Sequence, residues 1–328
     1  MALTTDAAAT AREYAAARED AGWFDLDRAL LVASGPLRQK FLHGMLSNDV
    51  SGRVAGQGTR AALMDAKGHL LALMRVLVAE NEVVMELPAA RRDEVHQLLE
   101  RYRVAAPVRF AAAADVCIGV AGPRAVERLR ALGSEAEELA LESHRRLEVG
   151  GIAVRLARAG DLPANGYVLH VAPDAASRLR ETLAGAGFLP LGADVLDVLR
   201  IEDGRPWYDR DVTRENLLHE TGLVSEYHSP TKGCYVGQEV IARLEARGGN
   251  VNRRLRGLRL EAPRPAGTAL TSDGKEIGAL TTAAVSPRQG AIAMGYVHRS
   301  HAEPGTVIDA GGARAEVAAL PLAVDGAP

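Results

Sequence analysis

Lys232-Gly233-Cys234-Tyr235-Val236-Gly237-Gln238-Glu239, followed by Val240-Ile241-Ala242-Arg243, is the most informative stretch of this chain. Two glycines frame a cysteine and a tyrosine immediately ahead of an apolar-periodic run. The pattern predicts a turn feeding a helix over Gln238 to Ala246, closed by Gly248-Gly249. A sulfur near a helix N-terminus and a lysine is stabilised as the thiolate. The helix end carries partial positive charge and the ammonium a full one, and both lower a thiol pKa from its reference of ~8.5. The bland reading is a turn cysteine that packs, because cysteine is among the most buried residue types.

On the N-terminal side of this stretch, helices and strands alternate. An alanine-rich helix is predicted over Ala11 to Ala21 and a buried strand over Ala29 to Ala33. Gly35-Pro36 then opens a helix with Phe41, Leu42, Met45 and Leu46 on one face. Arg60 to Met64 and His69 to Val78 flank the polar Asp65-Ala66-Lys67-Gly68, which predicts a hairpin, and a third strand follows at Glu82 to Leu87. Further helices are read at Pro88 to Arg103, Pro123 to Leu132, Asp174 to Ala186 and Ala193 to Glu202. Strands are read at Val104 to Ala111, Val116 to Val120, Arg145 to Val149, Ile152 to Ala159 and Tyr167 to Val171. This is α+β or α/β layering. After about Asn252 helical periodicity disappears and short strands punctuated by Gly and Pro predict a terminal β-barrel or sandwich. The division expected is therefore residues 1–250 and 251–328.

Composition bounds the function classes. The 328 residues are 47% hydrophobic and 25% charged, in the ordinary globular range. A net charge of -3 argues against a whole-protein attraction to nucleic acid or anionic lipid. The acidic and basic residues among the first thirty positions do not form a signal peptide, and no apolar run approaches the ~18 residues of a membrane span. A cytoplasmic protein without a membrane partner is expected. Cys117 and Cys234 are far apart and do not form a secreted disulfide pattern. Cys117, in the apolar run Val116 to Val120, reads as a core residue.

The stretch at 232–239 matches every fixed position of K-G-C-Y-x-G-Q-E, and so resembles the signature of the YgfZ family, relatives of the glycine-cleavage T-protein (GcvT). Phe41-Leu42-His43-Gly44-Met45-Leu46-Ser47-Asn48-Asp49-Val50 is similar to the family's F-L-x-G-x-L-T-N-D-V, with Ser47 in place of Thr. Asp65-Ala66-Lys67-Gly68, Leu199-Arg200-Ile201-Glu202-Asp203-Gly204 and Ile277-Gly278 through Tyr296-Val297 extend the likeness over nearly the whole chain. The resemblance implies two entwined α+β domains and a C-terminal β-barrel around a central channel that binds tetrahydrofolate or a derivative. It places Glu202, the acidic residue of R-x-E-x-G, against the pterin. A carboxylate suits that place because it accepts paired hydrogen bonds from a 2-amino group and an adjacent ring N–H. Arg200, Tyr235, Gln238, Glu239 and the turn residue Lys67 are the other expected folate contacts. Cys234, with Lys232, is the expected redox or thiol centre of a protein that supports iron–sulfur enzymes, their assembly or repair, and through them tRNA thiolation.

The chain departs from the T-protein pattern in two places. Glu86-Leu87-Pro88-Ala89-Ala90-Arg91-Arg92-Asp93 lacks the Asn stretch that leads to the acidic residue acting in one-carbon transfer. Aminomethyltransferase activity, the alternative function, is accordingly not expected. Between Asp211 and Thr231 the usual Pro-Gln-x-x-Asn run is replaced by Leu218-His219-Glu220-Thr221-Gly222-Leu223. From Arg243 to Arg259 six arginines stand against the single Glu245, a run open to a folate polyglutamate tail, to tRNA phosphates, or to plain solvation. No aromatic side chain lies within it to stack on bases, so direct nucleic-acid binding is not expected. His219, His228 and Cys234 lack the spacing of a zinc site, and no metal is expected.

Overall fold

A computed structural model describes residues 7–134, 139–163 and 166–322. The chain opens with α1 (Ala7–Glu19), then β1 (Gly22–Asp25) and β2 (Arg28–Ser34), two strands separated only by Leu26-Asp27. These neighbours enter different sheets, and that crossing entwines the two α+β units. The first unit continues with α2 (Arg38–Met45), β3 (Gly58–Met64), β4 (Leu70–Val78), β5 (Glu82–Pro88), α3 (Arg92–Arg103) and β6 (Arg109–Ala113). Its sheet runs β3-β4-β5-β2-β6, antiparallel throughout. Every residue of β3 and β4 is buried, as expected of near-continuous apolar runs covered on both faces.

The second unit is built from β7 (Val116–Ala121), α4 (Ala125–Ala131), β8 (His144–Val149), β9 (Ile152–Arg158), β10 (Tyr167–Val171), α5 (Pro173–Gly185) and β11 (Leu189–Pro190). Its sheet order is β11-β1-β7-β10-β9-β8, so β1 is borrowed from the chain's start. Leu129, Leu179 and Leu183 of α4 and α5 pack on its outer face. Its inner face meets the first sheet through Leu30, Val84, Cys117, Ala157 and Val168.

The helix α6 (Ala193–Glu202) leaves this layer and packs against the barrel. Short helices α7 (Leu218–Thr221) and α8 (Val224–Tyr227) and then α9 (Gln238–Ala246) lie ahead of it. The barrel comprises β12 (Arg253–Leu260), β13 (Ala269–Ser272), β14 (Lys275–Ser286), β15 (Gly290–His298), β16 (Val307–Ala310) and β17 (Ala313–Ala318). It closes in the order β12-β15-β14-β13-β16-β17, which removes the unpaired edges of an open sheet. At Gly278 a Cβ would lie 1.8 Å from the Tyr296 carbonyl oxygen, so only glycine permits that strand approach.

The α+β architecture with a terminal barrel is thus the one the sequence implied. Details differ where turn chemistry competed with propensity. The helix after Gly35-Pro36 begins only at Arg38, and residues 104–108 form a turn and link, Val104 having φ +41, where a strand was predicted. Strand β17 and helices α7 and α8 were not anticipated. No described helix is long and apolar enough to cross a membrane.

Candidate functional site

The link between β1 and β2, the middle of β4, the end of β5, α6 and the segment 206–210 enclose a cavity of about 420 Å³ at the centre of the assembly. Its apolar walls come from Leu73, Met74, Pro88, Leu196 and the rings of Trp207, Tyr208 and Tyr227. Each ring is held in place. The Trp207 indole donates to the Asp161 carbonyl at 3.1 Å, the Tyr208 hydroxyl donates to the Leu70 carbonyl at 2.6 Å, and Tyr227 lies 5.3 Å beneath the Arg60 guanidinium.

One side of the cavity is charged. Arg75, a lone polar residue in an otherwise apolar strand, is fully buried and lines it together with Arg28 and Asp161. Its guanidinium donates to both Glu86 oxygens at 2.7 Å, to Glu142 at 3.0 Å and to Asp161. Arg28 spans the same two acids, reaching Glu86 at 2.6 Å and Asp161 at 2.5 Å. Burial by itself would raise the Asp161 carboxyl, but Arg28 and Arg75 outweigh it and hold its pKa at about 2. The cavity therefore presents an ionised carboxylate in a wall of aromatic and aliphatic surface.

The residues singled out from sequence lie elsewhere, and neither Glu202 nor Arg200 lines this cavity. The buried Glu202 carboxylate accepts from Tyr14 at 2.8 Å, from Arg18 at 2.7 Å and from Ser286, tying α1 and α6 to the barrel. In this arrangement its oxygens accept from protein donors on both sides of the helix. Arg200 is also structural in its contacts, fully buried between Asp197 at 2.7 Å, Asp211 and Thr282 at 2.6 Å. Asp211 in turn accepts the Trp207 backbone N–H at 3.1 Å, and Arg200 lies 5.6 Å from the Trp207 ring. Arg200 thus stands behind the cavity wall. Asp93 is exposed, pairs with Arg92 at 2.9 Å and does not line the cavity either.

The signature loop forms a second locus, joined to the first by the Phe41–Val50 motif. Lys232 Nζ donates to the Leu46 carbonyl at 2.7 Å and to that of His43, satisfying carbonyls that the end of α2 leaves open. The same ammonium stands 4.4 Å over the Tyr235 ring. Burial lowers the Lys232 pKa to about 8, against the opposing pull of Asp49 and Cys234. Ser47 accepts from the Ala62 N–H at 2.8 Å and donates to the Tyr227 carbonyl, while Asn48 donates to the carbonyls of Arg60 and Glu226. The motif therefore brackets β3 to the chain entering the loop, one residue of which, Tyr227, lines the cavity.

Gly237 caps α9 at φ +86, and a Cβ there would lie 2.8 Å from the Asp65 carbonyl oxygen, so the loop rests on the Asp65–Gly68 turn. Cys234 is exposed, whereas Cys117 is buried and burial raises its pKa. Tyr235 is buried beside His228, with ring centroids 5.9 Å apart, and its hydroxyl has no partner among the described residues. Lys67 is exposed on the turn, and exposed Glu239 pairs with Arg243 at 2.5 Å on α9, which begins at Gln238. None of Lys67, Tyr235, Gln238 and Glu239 lines the central cavity.

Residues 4–225 match the GCVT N-terminal domain and residues 253–323 the glycine cleavage T-protein C-terminal barrel domain. The chain belongs to the glycine cleavage T-protein family. Relatives in this family include the aminomethyltransferase of Saccharopolyspora erythraea, 32% identical over 95% of this chain and 89% of that protein. The aminomethyltransferase of Streptomyces avermitilis is 30% identical over 94% of this chain and 88% of its own length. A putative chloroplastic transferase of Arabidopsis thaliana is 26% identical over 85% of this chain, which spans 65% of that protein. The fold is also that of the crystal structure of aminomethyltransferase T from Bartonella henselae, with a TM-score of 0.87 at 22% identity over 96% of this chain and 89% of the other. Aminomethyltransferases of the T-protein family use tetrahydrofolate, the cofactor the sequence implied.

The cavity fits such a group. A planar, hydrogen-bonding ring system matches aromatic walls with an ionised carboxylate among them, and Asp161, Trp207, Tyr208 and Tyr227 are the residues that would hold it. No pattern in the sequence marks Asp161, since it is isolated in an Ala-Gly-Asp-Leu-Pro loop and gains its place only from Arg28 and Arg75.

Proposed function

We propose that this chain binds tetrahydrofolate or a derivative in the central cavity and acts, like the YgfZ branch it resembles, as an accessory protein of iron–sulfur enzymes. What supports this reading most is the exposed Cys234 thiol, in a loop that Lys232 fastens to the Leu46 carbonyl, beside Ser47, which bonds Tyr227 of the cavity wall. When bound, the folate supplies a reduced pterin and a carrier for one-carbon units. The chain's own residues do the rest. Asp161 accepts ring N–H groups, Trp207 and Tyr227 stack and exclude water, and Arg28 and Arg75 keep Asp161 ionised. Cys234 offers an accessible thiol for exchange with a client protein, and Lys232 fixes the loop that carries it. Effects on tRNA thiolation follow indirectly, through the enzymes served.

A second reading, aminomethyl transfer, is favoured by the names of the relatives at 30–32% identity. Against it stand the missing Asn stretch and an exposed Asp93 that does not line the cavity. The deciding experiment joins three measurements on the intact chain. Calorimetric titration should show tetrahydrofolate binding. Incubation with the aminomethyl-loaded glycine-cleavage carrier should yield only background methylenetetrahydrofolate. Iron–sulfur enzyme activities should fall in a strain lacking the gene and return with the wild-type copy. Steady turnover of the loaded carrier establishes the second reading, and undiminished iron–sulfur enzymes in the deletion strain overturn the first.

A further inference from the structure

A second cavity, of about 370 Å³, lies between the two sheets and shares no lining residue with the central one. In the registers of the second sheet His170 on β10 pairs with Arg155 on β9, and Arg155 pairs with Arg146 on β8. Directly opposed residues project to one face, so the three side chains form a row aimed at the first sheet. From that sheet β5 answers with Glu82, Val84 and Glu86, alternate residues on its facing side.

The two ends of this row are satisfied unequally. His170 Nε2 meets Glu86 at 2.8 Å, but Nδ1 has no partner among the described residues, although only 3% of the residue is exposed. Arg146 and Arg155 share a single oxygen of Glu82, at 3.0 and 2.5 Å. His144 does not compensate. Its Nε2 donates to the Val78 carbonyl at 2.8 Å and its Nδ1 accepts from Arg155 at 3.2 Å, so the ring stays neutral, in keeping with a pKa that burial lowers to about 4. Arg155, 6% exposed, is thus a desolvated cation that shares its one bonded carboxylate oxygen with Arg146 and has Asp115 as its other nearby acid, an arrangement with room for an anion.

We infer that this cleft is a small-molecule site for a short aliphatic carboxylic acid bearing a hydroxyl or amino group beside its carboxylate. The carboxylate bridges Arg146 and Arg155. With the Nε2 proton directed at Glu86, Nδ1 offers a lone pair that accepts from the ligand's O–H or N–H. The aliphatic body lies along Leu30, Val32, Val84 and Val154, and Asp115 on the cavity wall meets the charge of an ammonium. Entry is from an open groove of about 900 Å³ that shares Glu82, Arg146 and Arg155.

The test titrates the full chain, saturated with tetrahydrofolate if that binds, with three acids of the same carbon skeleton. These are leucine, 2-hydroxy-4-methylpentanoate and 4-methylpentanoate, followed by methyl NMR at Leu30 and Val84 and by calorimetry. At least one donor-bearing acid shifts these methyls, and the acid lacking the donor binds about tenfold more weakly, the loss of one hydrogen bond to a buried group. Which of the first two binds better distinguishes an amino acid from a hydroxy acid. Arg146→Ala, a change at an exposed side chain that leaves the fold intact, weakens binding about tenfold as one charge-assisted contact is lost. Absence of methyl shifts at millimolar acid, or binding indifferent to both the donor and Arg146→Ala, overturns the assignment.

Discussion

Two stretches carry the family pattern most clearly, and the fold treats them in opposite ways. Arg200–Gly204 is drawn inside, where Arg200 and Glu202 spend their charges on Asp211, Thr282, Arg18, Tyr14 and Ser286 and weld α6 to the barrel. Lys232–Glu239 stays at the surface apart from the buried Tyr235, its lysine and glycines shaping a loop whose thiol remains accessible. A recurring charged motif is therefore as capable of being a fastening as a site, and burial decides which.

The strongest test of that contrast is Arg200→Met. It leaves the fully buried Asp211 carboxylate without its cation, and urea unfolding should show a loss of about 3 to 5 kcal/mol, with altered Trp207 fluorescence. Glu202→Ala should cost about 2 to 3 kcal/mol, as charge-assisted bonds from α1 and β14 are lost. Calorimetry on the variant, at a temperature where it is folded, should give wild-type folate affinity. A weaker affinity with unchanged stability would return Glu202 to the ligand and erase the contrast.

Asp161→Asn approaches the comparison from the cavity side. With a neutral amide the folate affinity should fall by about 1.5 to 3 kcal/mol, read by the same titration. Cys234→Ser should shift the urea midpoint by no more than about 0.5 kcal/mol, being a near-isosteric surface change, yet fail to restore iron–sulfur enzymes in the deletion strain. Full complementation would make the loop structural as well.

The smallest effect is a pH dependence of the loop. Lys232 has a folded pKa of about 8 against an ordinary 10.5, so the folded chain releases this proton first. Between those values the unfolded chain holds more protons, and stability rises with pH across that window, whereas below about 8 the cost of burying the charge is fully present. Urea titrations across the window should show this slope in the wild type and not in Lys232→Met.

Helices and strands with local signals were legible in the sequence: α6, α9 and β10 fall where periodicity put them, and the Asp65–Gly68 turn follows from its polar, glycine-ended sequence. Strand β17 was missed because Ala313–Ala318 is too alanine-rich and charged to look like one. Its strand character comes from closing the barrel against β12 and β16.

The site was less legible than the fold. Arg75 sits among apolar residues of β4, Asp161 in a loop and Arg28 at a strand start, and nothing in their spacing relates them. The sequence by itself determined the family likeness, the barrel and the exposed thiol loop, because turns, periodicity and a contiguous motif are local properties of a chain. Only the tertiary structure decided that Glu202 is held by Tyr14, Arg18 and Ser286 and that Asp161 faces the cavity. A carboxylate's role depends on which cations and how much water surround it, and those neighbours arrive from positions up to 188 residues away.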